Sequence, residues 1–245
     1  MSVVGDKVAV VSLGMSCQTA VQIRDHVSVI AASVGDATLR PSALPFDSIV
    51  CHPASAVKML QAEQFYPATS DKLALYRGAL WTDYGVYFRH ECTLRKSHPI
   101  EYLRRKVNLA RGHRELAAKF AYLGEKFRRL SEVDRLVFVL SNSQNDLGEY
   151  WDEVGISSTF AKNDVETLCD ECDRFFGRSC EYILAAYDSR LVGTTERRGL
   201  QVFRLVPDAS GWAGDHAQWR KIFETALHRV DAQPSGSVAI GVQSR

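Results

Sequence analysis

The stretch KVAVVSLGMSC, residues 7–17, constrains the fold more than any other. Lys7–Leu13 is a short, continuous, valine-rich apolar run, and it predicts a strand buried on both faces. Gly14 then allows a tight turn. Ser16 is a good helix N-cap, and Ala20, Val21 and Ile23 give Ser16–His26 an apolar side. A doubly buried strand running into a helix fits a parallel sheet with helices above and below it.

The rest of the chain repeats this alternation. Arg135–Leu140 (RLVFVL), Glu181–Ala186 (EYILAA) and Gln201–Val206 (QVFRLV) read as further strands. Pro53–Gln61, Asp164–Phe176 and Asp215–Val230 read as helices, and Ile100–Leu130 as one long helix or two helices broken near Gly112 or Gly124. Residues 35–52 look loop-like around Pro41 and Pro45, Trp81–His90 looks like one aromatic strand, and Ser237–Val242 like a final strand or tail. The expected architecture is one α/β domain over residues 1–245: a three-layer, mainly parallel sheet with helices on both faces and Lys7–Leu13 near its centre. Four strands end in polar or small residues, SLGMSC, LSNSQND, AAYDS and LVPDASG. In a parallel sheet these ends share one rim, where ligand sites form.

That rim gives the cysteine of SLGMSC a chemical reading. A helix N-terminus offers free N–H groups and partial positive charge. Cys17 there is expected to ionise more easily than a free thiol and to act as a nucleophile, with the N–H groups holding a developing oxyanion. Gly14, Ser16 and Gln18 beside it, Asn142 in LSNSQND and Trp212 are the expected substrate contacts. A nucleophilic thiol also needs a base. Composition alone does not choose among the seven histidines, of which His90 ends the aromatic strand and His216 follows Asp215.

The blocks SLGMSCQTAVQIR, LPFDSIV, YFRHE and GWAGDHAQWRKIF together resemble a bacterial family of uncharacterised proteins described as papain-like cysteine peptidases. The resemblance runs from about Val8 to Phe223 and is weakest over 100–180. It implies that Cys17 is the nucleophile, His90 its base and Asp47 the group that orients the base, and it matches Trp212 and Trp219 to the family's C-terminal tryptophans. Ser48 stands where the family has tryptophan. The label implies a papain-like α+β fold as the alternative architecture. The strand-to-nucleophile order instead favours a Rossmann-like or GDSL-hydrolase-like layout.

The function expected is thus acyl transfer by a cysteine nucleophile, as a peptidase or amidase-type hydrolase. The alternatives are an acyltransferase of polysaccharide or natural-product assembly and a non-catalytic binding protein. The net charge of +1 gives no general pull toward nucleic acid. Residues 101–130, however, carry nine Lys or Arg against three acids, a basic helical segment suited to an anionic small-molecule or peptide substrate. No apolar run is long enough to span a membrane. The absence of a basic, then apolar, leader and the scattered six cysteines point to the cytoplasm. No cofactor and no metal are expected: CDEC, residues 169–172, lacks a second ligand pair and sits in a helical pattern.

Overall fold

The computed structural model describes residues 1–90, 101–207 and 211–228, with the backbone alone for 101–111. The chain opens with β1 (Ser2–Val4), β2 (Val8–Ser12), α1 (Cys17–Asp25), α2 (Val27–Val34), β3 (Arg40–Ser42), a 3-10 turn (Pro45–Ser48), β4 (Val50–Cys51) and α3 (Pro53–Gln61). It continues with β5 (Leu73–Leu75), β6 (Ala79–Trp81), β7 (Val86–Phe88), α4 (Glu101–Arg128), β8 (Arg135–Ser141) and α5 (Leu147–Val154). The last elements are β9 (Phe160–Ala161), α6 (Lys162–Phe176), β10 (Glu181–Tyr187), β11 (Leu191–Val192), β12 (Leu200–Leu205) and α7 (His216–Leu227).

The main sheet has the order β12-β10-β8-β2-β1-β3. Strands β2, β8, β10 and β12 run parallel, and β1 is antiparallel to both its neighbours. Along each central strand, alternate residues enter opposite layers. Ala9, Val11, Phe138, Leu140, Tyr182 and Leu184 face α3, α4, α6 and the small sheet. Val8, Val10, Val137, Val139, Ile183 and Ala185 face α2 and α7. This period-two sorting into two cores makes the three layers. The chain therefore has the expected three-layer α/β fold, with β2 near the centre. The papain-like α+β alternative fails because α1, which carries Cys17, is a nine-residue helix fed by a parallel strand.

Several local expectations change. Trp81–His90 is not one strand but the end of β6, a turn and β7. Gly85 there has φ of +67°, a left-handed conformation that favours glycine. α4 is unbroken from Glu101 to Arg128. Gly124 interrupts nothing: a Cβ on it would lie 2.7 Å from Phe65, so the residue marks a close approach of α4 to that ring. Phe65, Phe46, Phe138 and Phe176 surround the fully buried Phe127 of α4. Of the basic segment, Lys126 donates to the Ala43 carbonyl and Arg128 to that of Glu63, while the side chains of 101–111 lie outside the described residues. So does the strand or tail expected at Ser237–Val242.

Cys51, Cys169, Cys172 and Cys180 are buried, and burial pushes the thiols of Cys51 and Cys169 up to about 12 and that of Cys180 to about 11. In the unfolded chain such thiols ionise near about 8.5. Above that pH the unfolded state binds fewer protons than the folded one, so these groups make stability fall as pH rises toward the folded values. Urea unfolding from pH 8 upward is expected to show this loss. Cys51→Ala, destabilised at pH 8 by the cavity it leaves, is expected to close part of the gap to the parent protein as pH rises. A gap independent of pH would contradict the burial of that thiol.

Candidate active site

Steric demand sets the turn that presents Cys17. Gly14 N–H donates to Ser12 Oγ, and a Cβ on Gly14 would fall well inside contact distance of Thr19 Oγ1. Only glycine lets the first turn of α1 fold back over the end of β2 in this way. Ser16 is the N-cap with extended backbone (φ −152°, ψ 174°), and its side chain makes no cap hydrogen bond. The α1 amides are therefore not occupied by the residue that usually caps them. Cys17, half-buried, is the first helical residue.

The small antiparallel sheet β4-β7-β6-β5 brings up His90. Cys51 N–H donates to the Met15 carbonyl at 3.1 Å, which ties β4 to the turn before Cys17. β7 pairs with β4, and His90 lies two residues past the end of β7. Cys17 Sγ and His90 Nε2 are 3.9 Å apart, and His90 is exposed. The expected Cys17–His90 pairing is thus present in the geometry. His216 is not part of it: this residue opens α7, its carbonyl accepts from His26 Nε2 at 3.1 Å, and its ring lies against that of His26.

The electrostatics differ from the expectation. Burial pushes the Cys17 thiol up, not down. Its own backbone N–H pulls it back, the Asp146 carboxylate raises it, and Arg89 lowers it. Desolvation outweighs the helix N-terminus here, so the resting form at neutral pH is the thiol and not a preformed thiolate.

The four strand ends do share one rim. Gln18, on α1, accepts from Ser143 Oγ at 2.9 Å and donates to the Trp212 carbonyl at 3.1 Å. Asn142 donates to the Arg190 and Ser158 carbonyls, and Asn145 to that of Gly211. These bonds correct two expected substrate contacts. Gln18 is buried with both ends of its side-chain amide engaged, and the Asn142 amide nitrogen anchors loops, so neither side chain presents a free donor to a substrate. Trp212 and Trp219 separate: Trp219 is core, packed on Phe223, whereas the Trp212 ring is exposed at the rim.

Asp47 is also corrected. Its carboxylate accepts from Ser2 Oγ (2.7 Å), Ser2 N (3.0 Å) and Leu44 N (2.8 Å). It caps the Pro45–Ser48 turn and holds β1, with no oxygen turned to His90 among the described contacts. Residues that sequence reasoning missed instead surround Cys17. The Arg89 guanidinium stacks on the buried Tyr150 ring at 4.9 Å, Gln144 reaches the Tyr150 hydroxyl, and Asp146 accepts from Gln144 Nε2. The signal for Arg89 was its place next to His90 in YFRHE. Tyr150 had none, because its helix was not recognised.

Other candidates carry no such chemistry. Cys169 and Cys172 are core residues of α6, and among the described residues no three His, Cys, Asp or Glu side chains gather to hold a metal ion. A shallow cleft of about 300 Å3 lies at the opposite, amino-terminal edge of the sheet. Its Arg135 is held by Glu181 and its Asp36 by Thr38. No described helix is long and apolar enough to cross a membrane. Compared with protein-family models, curated proteins and solved structures, the chain finds no match.

Asp47→Ala strips the acceptor from two backbone N–H groups and a buried hydroxyl, at a cost of about 1–3 kcal/mol. Denaturant unfolding is expected to show that loss. The folded variant is expected to keep the parent's rate of Cys17 alkylation at pH 8. A stable variant with a sharply slowed Cys17 would restore Asp47 to the catalytic group.

Proposed function

We propose that this chain is a cysteine-dependent acyl-transfer enzyme, acting chiefly as an amidase or peptidase-type hydrolase on small-molecule or peptide substrates. The observation that carries this reading is the 3.9 Å approach of Cys17 Sγ to His90 Nε2 at a strand-to-helix turn whose amides are left uncapped. The chemistry agrees with the bacterial papain-like cysteine peptidase family that the sequence resembles, on a different fold. Free cysteines among the described residues favour a reducing compartment, the cytoplasm.

Because the thiol is protonated at rest, His90 acts as a general base. It takes the Sγ proton as sulfur bonds to the acyl carbon. The Cys17 and Gln18 N–H groups at the start of α1 are placed to receive the charge that grows on the carbonyl oxygen. As the tetrahedral species collapses, the bond to the leaving nitrogen or oxygen breaks, and His90 returns its proton to that atom. The acyl group remains as a Cys17 thioester. Water then adds to the thioester with His90 again as base, and the acid and free thiol are released. An acceptor other than water would make the same thioester serve acyl transfer.

Activated acyl esters such as p-nitrophenyl acetate are expected to leave an acyl adduct on Cys17, read by peptide mass mapping, and to be turned over. Cys17→Ala is expected to abolish both. His90→Ala is expected to slow acylation by about 10²–10⁴-fold, the usual worth of a general base. Full turnover by Cys17→Ala would overturn the proposed function.

A further inference from the structure

Arg89 stands beside the dyad in an unusual state. Its side chain is about one-quarter exposed, with the guanidinium stacked on Tyr150 and the buried Nη1 3.8 Å from Glu153 Oε2, an ion pair too long for a hydrogen bond. Glu153 is fixed from the other side: its Oε1 accepts from Tyr87 Oη at 2.6 Å and from Arg77 N at 3.0 Å. Gln144 Oε1 is buried with no hydrogen-bond partner, and Arg89 Nη1 and Glu153 Oε2, also buried, have only their long ion pair with each other. Gln144 is only 2% exposed. Buried polar atoms are nearly always satisfied, so one left without a partner calls for one, a ligand or an ordered water among them. Stacking and a long ion pair thus hold the Arg89 fork without a hydrogen bond among the described residues, and a bidentate acceptor can supply those bonds.

We propose that Arg89 binds a carboxylate on the leaving-group side of the scissile bond, so that the substrates are N-acyl amino acids or peptides cut before their last residue. This rests on the Cys17–His90 reading above. The side follows from connectivity. His90 must reach the leaving nitrogen to return its proton, and Arg89 is its immediate neighbour in the chain. In an N-acyl amino acid the carboxylate lies one carbon from the scissile nitrogen. The unpartnered Gln144 Oε1 suits an N–H donor of the same substrate. Asp146, the carboxylate in the field of Cys17, is engaged by Gln144 Nε2, and among the described side chains that act on Cys17 Arg89 is the cation, with the N-terminal ammonium as the further positive charge.

The test uses two alkylating agents of the same size and different charge, iodoacetate and iodoacetamide, on the full chain at pH 8. The rate ratio at Cys17 is read by peptide mapping against the ratio for N-acetylcysteine in the same buffer. The wild-type ratio is expected to favour iodoacetate over the reference by about tenfold, equivalent to about 1.4 kcal/mol. Arg89→Gln is expected to return it to the reference, and Arg89→Lys, which keeps the charge under the same Glu153, to retain part of the preference. In a second arm, N-acetylglycine is expected to protect wild-type Cys17 from iodoacetamide at concentrations where N-acetylglycinamide does not. A wild-type ratio at or below the reference, or equal protection by the two compounds, overturns the carboxylate subsite. Neither readout needs turnover, so failure here is distinct from failure to form an acyl adduct on Cys17.

Discussion

The contact between Gly14 and Thr19 decides where the chemistry of this molecule can be. With no Cβ on Gly14, α1 begins directly above the carboxyl end of β2, and Cys17 becomes its first residue. The other pieces depend on that placement. Gln18, one residue on, clamps the loops after β8 and β12. Met15, one residue before the N-cap, receives the Cys51 N–H that docks the small sheet. The small sheet in turn delivers His90 and Arg89. A side chain at position 14 would push α1 away from the sheet, and both the base and the rim would lose their reference point.

The balance at Cys17 is between desolvation and the helix end. A thiolate at a helix N-terminus is favoured by the N–H groups and by Arg89, but the site is buried enough that removal from water wins. The chemistry follows from which of these effects is larger. In the proposed reaction a protonated thiol needs a base at the moment of attack, as a serine does, and His90 at 3.9 Å is close enough to serve after a small approach of substrate and side chains.

Much of the fold was legible because β2, β8 and β10 are buried on both faces and therefore continuous apolar runs in the sequence. The helices α3 and α6 carried their apolar spacing openly, and the polar residues ending each strand announced the shared rim. The elements missed had physical reasons to be hidden. β1 and β3 are three residues each, too short to show a period, and Pro41 within β3 reads as a breaker where it is an edge residue. α2, VSVIAASV, is rich in β-branched residues, and α5, LGEYWDEV, has Gly148 in its first turn. The site followed the same rule. Cys17 and His90 could be found because their residue types suit the chemistry. Asp47 has the right type but the wrong neighbours, since Ser2 lies 45 residues away and its bonds to Asp47 exist only in the folded chain. Arg89 and Tyr150 meet only through tertiary packing.

The central claim is that Cys17 and His90 face each other across the rim in solution. A short bis-electrophile, 1,3-dibromoacetone, tests this directly, because it bridges a thiol and an imidazole only when both are within its three-carbon reach. Peptide mapping of the treated protein should show one Cys17–His90 bridge, absent from His90→Ala, with the buried cysteines untouched. Single alkylation of Cys17 with no bridge, or a bridge to a histidine other than His90, would contradict the dyad and with it the acyl-transfer reading.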